Sequence, residues 1–405
     1  MGLLNGEYKG FSRRRFALGS VAAAGAVAAA TGLSACGGDE DEKKPTGEPQ
    51  EIDDESIVSV LDDYKAQDFG LAAAQTWTLP LGTVLFHCEG SWAAAMLTPE
   101  SALHPNTLGV LSLASGSLTT VREDAINGRL YTFFDVRCGS SAFAWVEIDY
   151  NTRDWKLYGQ GFSEGALTGE PAELDSGNAD WEPPMFTVAG DSVIWQKMPL
   201  ASGSKSSSAS HCLRWHVGDK EGSEIWESVG RFATHPRVSD NILTIVPRVL
   251  NEEGTYYGMT AIELDDDKHK QMDQLVLPAS IRPFDAVYTG EQFVFSIEAS
   301  YDYGGSLGNM GTYIGREGEP YVYFSREPAA WTSFNGNRFY IKTQSAHYII
   351  DTAENTYDAI SSPDHSLSFG DYPASEGHTT QFLVYSTVRD TQGIPQSVTA
   401  RLFAI

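Results

Sequence analysis

One local pattern recurs along residues 74–405, and it constrains the fold more than any other feature of the sequence. A short apolar segment leads into a tight turn rich in Gly, Asn or Asp, and a strongly apolar segment follows the turn. The turns lie about 38 to 62 residues apart, near the ~40–50 residues of a four-stranded repeat unit. Their centres are Gly90, Gly128, Gly190, Asp240, Gly290, Gly336 and Gly377.

Most of these units contain a second hairpin, as in "AFAWVEIDYNTRDWKLYG" and "HYIIDTAENTYDAI". Two hairpins give four strands, which is one blade of a β-propeller. We therefore predict an all-β fold, a seven-bladed β-propeller of four-stranded antiparallel blades, with six or eight blades or a β-sandwich as alternatives. The last unit ends at "SVTARLFAI" without a fourth strand. The extra apolar segment 74–80, "AQTWTLP", is expected to supply that strand and to close the ring.

The amino terminus has the layout of an export signal. Arg13, Arg14 and Arg15 precede an apolar run from 16 to 35 that is dominated by alanine and glycine. A basic segment, a weakly apolar segment and small residues before a break are typical of a cleaved signal peptide. A permanent amino-terminal membrane anchor is the alternative.

Two motifs in this leader carry a family resemblance. Residues 12–16, "SRRRF", resemble the twin-arginine signature, with Arg13, Arg14 and Phe16 at its matching positions. Residues 33–36, "LSAC", resemble the lipobox of bacterial lipoproteins. The resemblance implies export by the twin-arginine translocase, cleavage after Ala35 and a diacylglyceryl group on Cys36. Two acyl chains would anchor the protein stably to the bacterial cell membrane, on its extracytoplasmic side.

The domain organisation follows from these features. Residues 1–35 are expected to be the signal peptide, 36–73 a flexible acidic tether, and 74–405 the propeller. The tether prediction rests on "GGDEDEKKPTGEPQEIDDES", which has almost no bulky apolar residue.

Without residues 1–35, the 28 Lys/Arg and 54 Asp/Glu become 24 and 53, a net charge of −29. So acidic a body lacks the basic surface that nucleic acid binding requires.

Neither a metal nor another cofactor is expected from the sequence. Cys88, Cys138 and Cys212 remain after the leader, and they could form one disulfide with a spare thiol or remain three free cysteines. In "HCLRWH", His211 and Cys212 face opposite sides of a strand, so a metal site with His216 would need ligands from other blades. The body resembles WD40-like and quinoprotein-like propellers only in the spacing of its strands and turns, because the signature motifs of those families are absent.

Long connections after the second strand of a unit and between units fall on one face of a propeller, which is the expected ligand-binding face. The best candidate there is the loop "SYDYGGSLGNMGTY", where Tyr301, Asp302 and Tyr303 combine aromatic faces with an acid. We predict a lipoprotein that binds a protein, peptide or glycan. The alternative is an extracytoplasmic glycoside hydrolase or lyase with carboxylates at the channel mouth. No set of candidate ligands for a redox cofactor supports a redox role. The sequence leaves open whether the protein has any catalytic activity.

Overall fold

The computed structural model describes residues 47–50, 52, 56–99, 101, 104–251, 254–264, 269–299, 310–361 and 371–405. Within these ranges the regular secondary structure is β-strand except for one four-residue helix, which confirms the all-β prediction. None of the helices in these ranges is long and apolar enough to cross a bilayer. Arg13, Arg14, Phe16 and Cys36 of the leader lie outside the described residues, as does the 301–303 loop.

Four short elements come before the first blade: β1 (Ile57–Ser59), α1 (Val60–Asp63), β2 (Lys65–Ala66) and β3 (Ala73–Leu79). Six blades follow, and each is built from one continuous stretch of chain. Blade 1 contains β4 (Thr83–Glu89), β5 (Trp92–Leu97), β6 (Thr107–Ser112) and β7 (Leu118–Arg122). Blade 2 contains β8 (Thr132–Cys138), β9 (Ala142–Ile148), β10 (Trp155–Ser163) and β11 (Ala166–Gly177). Blade 3 contains β12 (Met185–Ala189), β13 (Ser192–Lys197), β14 (Ser210–His216) and β15 (Ser223–Ser228).

Blade 4 contains β16 (Arg237–Ser239), β17 (Ile242–Ile245), β19 (Gly254–Glu263) and β20 (Gln271–Val276), with β18 (Arg248–Asn251) paired to β19. Blade 5 contains β21 (Asp285–Tyr288), β22 (Phe293–Ile297), β23 (Gly311–Gly315) and β24 (Tyr321–Phe324). Blade 6 contains β25 (Ser333–Asn335), β26 (Arg338–Lys342), β27 (Ala346–Asp351) and β28 (Thr356–Ser361). The four main strands of each blade are antiparallel, as predicted.

The prediction of seven equivalent blades is wrong, because only these six are complete blades of continuous chain. The remaining sheet is a composite of β29 (Tyr372–Pro373), β31 (Gln381–Arg389), β32 (Pro395–Ala404) and β3. Its innermost strand has only two residues. The short strand β30 (Gly377–His378), predicted as the turn of a seventh unit, instead pairs in parallel with β25 of blade 6. We call this composite the closing sheet.

The predicted closure by the segment 74–80 is confirmed, since β3 pairs antiparallel with β32 from Ala73↔Phe403 to Leu79↔Val398. Described residues ahead of β3, from Pro49 onwards, also pair with outer strands of blades. Pro49 bridges to Val276 of blade 4, β1 pairs with β24 of blade 5, and β2 pairs with β28 of blade 6. This part of the segment predicted as a tether therefore packs against the propeller, and Val60 is fully buried there.

The tight turns between the first two strands were predicted correctly in five units. At Asp240 and Asn241, φ is 48° and 65°, the left-handed conformation that two-residue hairpin turns require. The turn predicted at Gly128 is wrong, because Gly128 lies in the connection ahead of β8. In blade 2 the tight turn is at 139–141, where the Gly139 N–H donates to the Ala142 carbonyl at 2.8 Å.

The core consists of side chains packed between neighbouring sheets. Trp145, Trp155 and Trp195 are its largest buried members, so these tryptophans fill space between blades as a propeller requires.

Cys88, Cys138 and Cys212 are all free thiols, which resolves the two alternatives left by the sequence. Burial raises the pKa of Cys88 to about 11 and holds the pKa of the other two above its usual range. Cys138 and Cys212 are buried and therefore chemically inert, whereas Cys88 is half-buried.

Candidate ligand-binding site at the central channel

The central channel contains two cavities that meet at one buried residue, Glu376. We call the face where the inner strands of the blades begin the upper face, and the face where they turn into their neighbours the lower face. The upper cavity has a volume of about 620 Å³ and opens among residues that precede or begin the inner strands. The lower cavity, about 430 Å³, lies among the hairpin turns. Glu376 lines both cavities, so it forms the partition between them.

Charged side chains from several sheets converge at this partition, which we call the ionic layer. Arg237 of β16 contacts Glu376 at 3.1 Å and Asp285 of β21 at 3.2 Å. Arg137 of β8 lies 3.7 Å from Glu376 and also pairs with Asp135. The members of the layer are His87, Asp135, Arg137, Arg237, Asp285 and Glu376. Because inner strands of different blades converge on one axis, side chains distant in sequence meet here.

The charges of the layer are mutually compensated. Burial alone would raise the pKa of Glu376, but Arg237, the 2.9 Å contact with His87, and Arg137 hold it well below its ordinary value. Burial raises the pKa of Asp135 and of Asp285, and an arginine partly offsets each shift. Removing one partner from such a buried set leaves an unpaired charge, which is strongly destabilising. The layer is therefore a structural floor for the upper cavity.

The walls of the upper cavity are largely apolar and aromatic. The strand ladder between β4 and β5 shifts register between Leu85 and Cys88, and that between β8 and β9 shifts between Phe133 and Asp135. A β-bulge places an extra residue in one strand and redirects its side chain. The two bulges bring Phe86 and Phe134 to the cavity, which also contains Trp331.

Two buried nitrogen atoms at the upper cavity have no hydrogen-bond partner within the described part of the chain: Arg137 Nε and His235 Nδ1. The Arg137 side chain is only 3% exposed. The His235 ring packs on Trp331 with 4.7 Å between centroids. Burial and the nearby cations Arg237 and Arg137 hold the pKa of His235 well below its usual range, so this ring is neutral. Arg137 Nε lies 3.7 Å from Glu376 Oε1, so of these two nitrogens His235 Nδ1 is the one without a charged neighbour of opposite sign.

The acids that line the upper cavity are all engaged in ion pairs. Asp135 pairs with Arg137, Glu376 with Arg237, and Glu182 at the rim pairs with Arg231 at 2.6 Å. Glycoside hydrolysis needs one carboxyl group that donates a proton and a second that acts as base or nucleophile. The paired arginine favours the charged form of each carboxylate. At Glu376 the cations hold the pKa below its ordinary value, whereas at Asp135 burial outweighs Arg137 and raises the pKa. Each of the three acids is therefore already held by a cation.

These residues are not among those predicted from the sequence. Two features of the sequence could have indicated them: the charged residues Asp135 and Arg137 inside the apolar strand β8, and the "HPR" sequence that leads into β16 and ends at its first residue, Arg237. Of the histidines that were singled out, His216 contacts Asp191 at 3.2 Å, and His211 contacts Glu224 at 2.6 Å. Neither reaches the ionic layer. The candidate loop at 301–303 stays a prediction, because it lies outside the described residues, and the upper cavity is lined by other residues.

The sequence matches no family model and no curated protein. Among solved structures, the chain resembles the β-propeller domain of the Trilobed protease from Pyrococcus furiosus, with a TM-score of 0.50 and 9% identity over 78% of this chain and 95% of that one. It also resembles a prolyl endopeptidase (TM-score 0.52, 11% identity, 78% and 46%) and a post-proline cleaving enzyme from Rickettsia typhi (TM-score 0.50, 8% identity, 79% and 52%). The chain spans about half the length of these two enzymes. At such identities the likeness shows a shared β-propeller fold.

Proposed function

We propose that the upper cavity binds a peptide segment that inserts an apolar side chain between Phe86, Phe134 and Trp331. The observation that carries the proposal is the pair of β-bulges on adjacent inner strands, which aim two aromatic rings at one cavity above a closed ionic floor. A bulged residue is left out of the strand ladder, so its main-chain groups are available to an extended peptide.

A peptide fits this cavity better than a glycan does. Sugar recognition requires many polar partners for hydroxyl groups, whereas the acids of this cavity are already held by arginines. The three solved structures come from peptide-cleaving enzymes by their names, which agrees with a peptide ligand, but the proposal rests on the cavity itself. Aromatic side chains in a concave site are the usual carriers of binding energy.

A selection experiment tests this proposal. A random peptide library displayed on phage is panned against the wild-type protein, and enriched peptides are measured by calorimetry against Phe134→Ala. Because Phe134 is 42% exposed, its truncation is expected to leave the fold intact while it weakens binding about tenfold or more.

Met272→Ala is the matched control, since Met272 is 44% exposed on the outer strand of blade 4. It should bind like the wild type. Equal peptide affinity in Phe134→Ala and the wild type would contradict the proposal, and so would enrichment on a glycan array without enrichment of peptides.

We also propose that the protein is exported by the twin-arginine translocase and anchored outside the cytosol through lipid on Cys36. The support is the leader sequence with its two motifs at residues 12–16 and 33–36. The acidic body, with its net charge of −29 after residue 35, would be repelled by anionic lipid, so attachment would depend on the acyl chains.

The lipid anchor gives a simple expected outcome. Cys36→Ala should move the protein from the membrane fraction to the soluble extracytoplasmic fraction, because no acyl chain can then be attached. Immunoblots of fractionated cells measure this. Arg13→Lys with Arg14→Lys is the companion variant and should block export. Retention of Cys36→Ala in membranes would argue for a transmembrane anchor instead.

A further inference from the structure

A cluster of potential metal ligands lies on blade 3, away from the central cavities. His211 of β14 and Glu224 and Glu227 of β15 place one ligand atom each within 4.8 Å of one another. All three are solvent-accessible, with His211 half-buried and both glutamates exposed. None of them lines the upper or the lower cavity. The cluster is therefore independent of the proposed peptide site.

A β-bulge creates this cluster. His211 lies opposite Glu227 and Leu213 lies opposite Glu224, with a register shift between Cys212 and Leu213. In a regular strand, residues three apart point to opposite faces. Here the consecutive residues Ile225 and Trp226 both pack against the core between blades 3 and 4. Glu224 and Glu227 are consequently left together on the other face, beside His211.

The charges of this cluster are not compensated by a lysine or arginine. Within the described residues, the only ion pair that involves either glutamate is the 2.6 Å contact between His211 and Glu224. The nearest cation on the neighbouring strand is Lys197, which lies opposite His211 in the ladder. Its ammonium is already bound to Asp175 at 2.5 Å and to the Ser176 carbonyl. Two carboxylates this close repel each other unless a cation binds between them.

We propose that His211, Glu224 and Glu227 bind a divalent transition-metal ion of the Zn²⁺ class. Imidazole nitrogen with carboxylate oxygen suits Zn²⁺, whereas Ca²⁺ and Mg²⁺ prefer oxygen ligands alone. Three protein ligands leave a coordination position open to water or to an external ligand. Exposed side chains can close from 4.8 Å to bonding geometry by small rotamer changes.

Zinc titration of the untagged full-length protein tests this site. Calorimetry at pH 7.5 should show saturable binding of one Zn²⁺ that excess Ca²⁺ does not displace. Glu227→Gln and His211→Gln should each weaken the binding about tenfold or more, while Glu221→Gln, the same change at an exposed position in the preceding turn, should leave it unchanged. Binding should also weaken at pH 5.5, because metal ligands must be deprotonated.

Thermal unfolding in EDTA should be the same for all four proteins, which separates loss of metal from loss of fold. Absence of saturable Zn²⁺ binding to the wild type would overturn the proposal. Equal Zn²⁺ affinity in Glu227→Gln and the wild type, or displacement of Zn²⁺ by Ca²⁺, would overturn it as well. Phe134 belongs to blade 2 and the cluster to blade 3. Phe134→Ala should therefore bind Zn²⁺ like the wild type, whether or not the protein is found to bind a peptide.

Discussion

Replacement of Glu376 by alanine is expected to lower the free energy of unfolding by about 3–5 kcal/mol. The Glu376 side chain is 7% exposed and contacts Arg237 at 3.1 Å and His87 at 2.9 Å. Its removal leaves two buried guanidinium groups, Arg137 and Arg237, with one fewer anion. Urea denaturation followed by tryptophan fluorescence measures the change. Glu221→Ala, at an exposed turn position, is the control and should change stability by no more than about 0.5 kcal/mol.

The contribution of Glu376 should depend on pH in a defined direction. Because the folded protein holds the pKa of Glu376 below its ordinary value of 4.5, the stabilisation is complete above that pH and is lost as pH falls. The difference in stability between the wild type and Glu376→Gln should therefore shrink below about pH 4.5. A difference that grows on acidification, or a Glu376→Ala protein as stable as the wild type, would contradict the ionic layer as a structural floor.

Replacement of Trp145 by alanine is expected to cost about 3–5 kcal/mol of unfolding free energy, as for other fully buried aromatic side chains. Trp145 is 0% exposed, stacks on Tyr158 at 5.4 Å between ring centroids, and donates from Nε1 to Glu147 Oε1 at 3.0 Å. The ring belongs to the core between blades 1 and 2. Alanine would leave a cavity there and remove one hydrogen bond from a buried carboxylate.

The matched control for this variant is Tyr150→Ala, an aromatic residue of the same blade that is 65% exposed. We expect it to change the unfolding free energy by no more than about 0.5 kcal/mol. Both variants are compared in one urea series. A Trp145→Ala protein that loses under about 1 kcal/mol would show that this interface tolerates cavities and that blade packing is looser than the structure indicates.

The alternation of strands and tight turns in the blades could be predicted because it depends on residues close together in the sequence. Turns such as Asp240–Asn241 require positive φ, and the flanking apolar strands must pack between neighbouring sheets. The turn predicted at Gly128 was wrong because this glycine, although its φ is positive, lies in a connection between blades and not in a hairpin. The turn predicted at Gly377 was wrong as well, because the short β30 pairs with another blade and not with its own neighbour in sequence.

The site was harder to predict than the blades. Arg137 and Arg237 come from inner strands far apart in the chain and Glu376 from the loop between β29 and β30, and only the curvature of the ring brings them together. A bulge is likewise invisible in a pattern of alternating residues, since its position depends on the pairing with the next strand. The cavity and its lining could therefore not be predicted from the sequence alone, and the loop at 301–303, outside the described residues, stays a prediction.

Hydrogen–deuterium exchange with a phage-selected peptide tests the central claim, peptide binding at the upper cavity, most directly. The account predicts slower exchange in β4 and β8 around the bulged residues Phe86 and Phe134, and unchanged exchange on the outer strands of the blades. Protection confined to outer strands, with β4 and β8 unaffected by a saturating peptide, would contradict it.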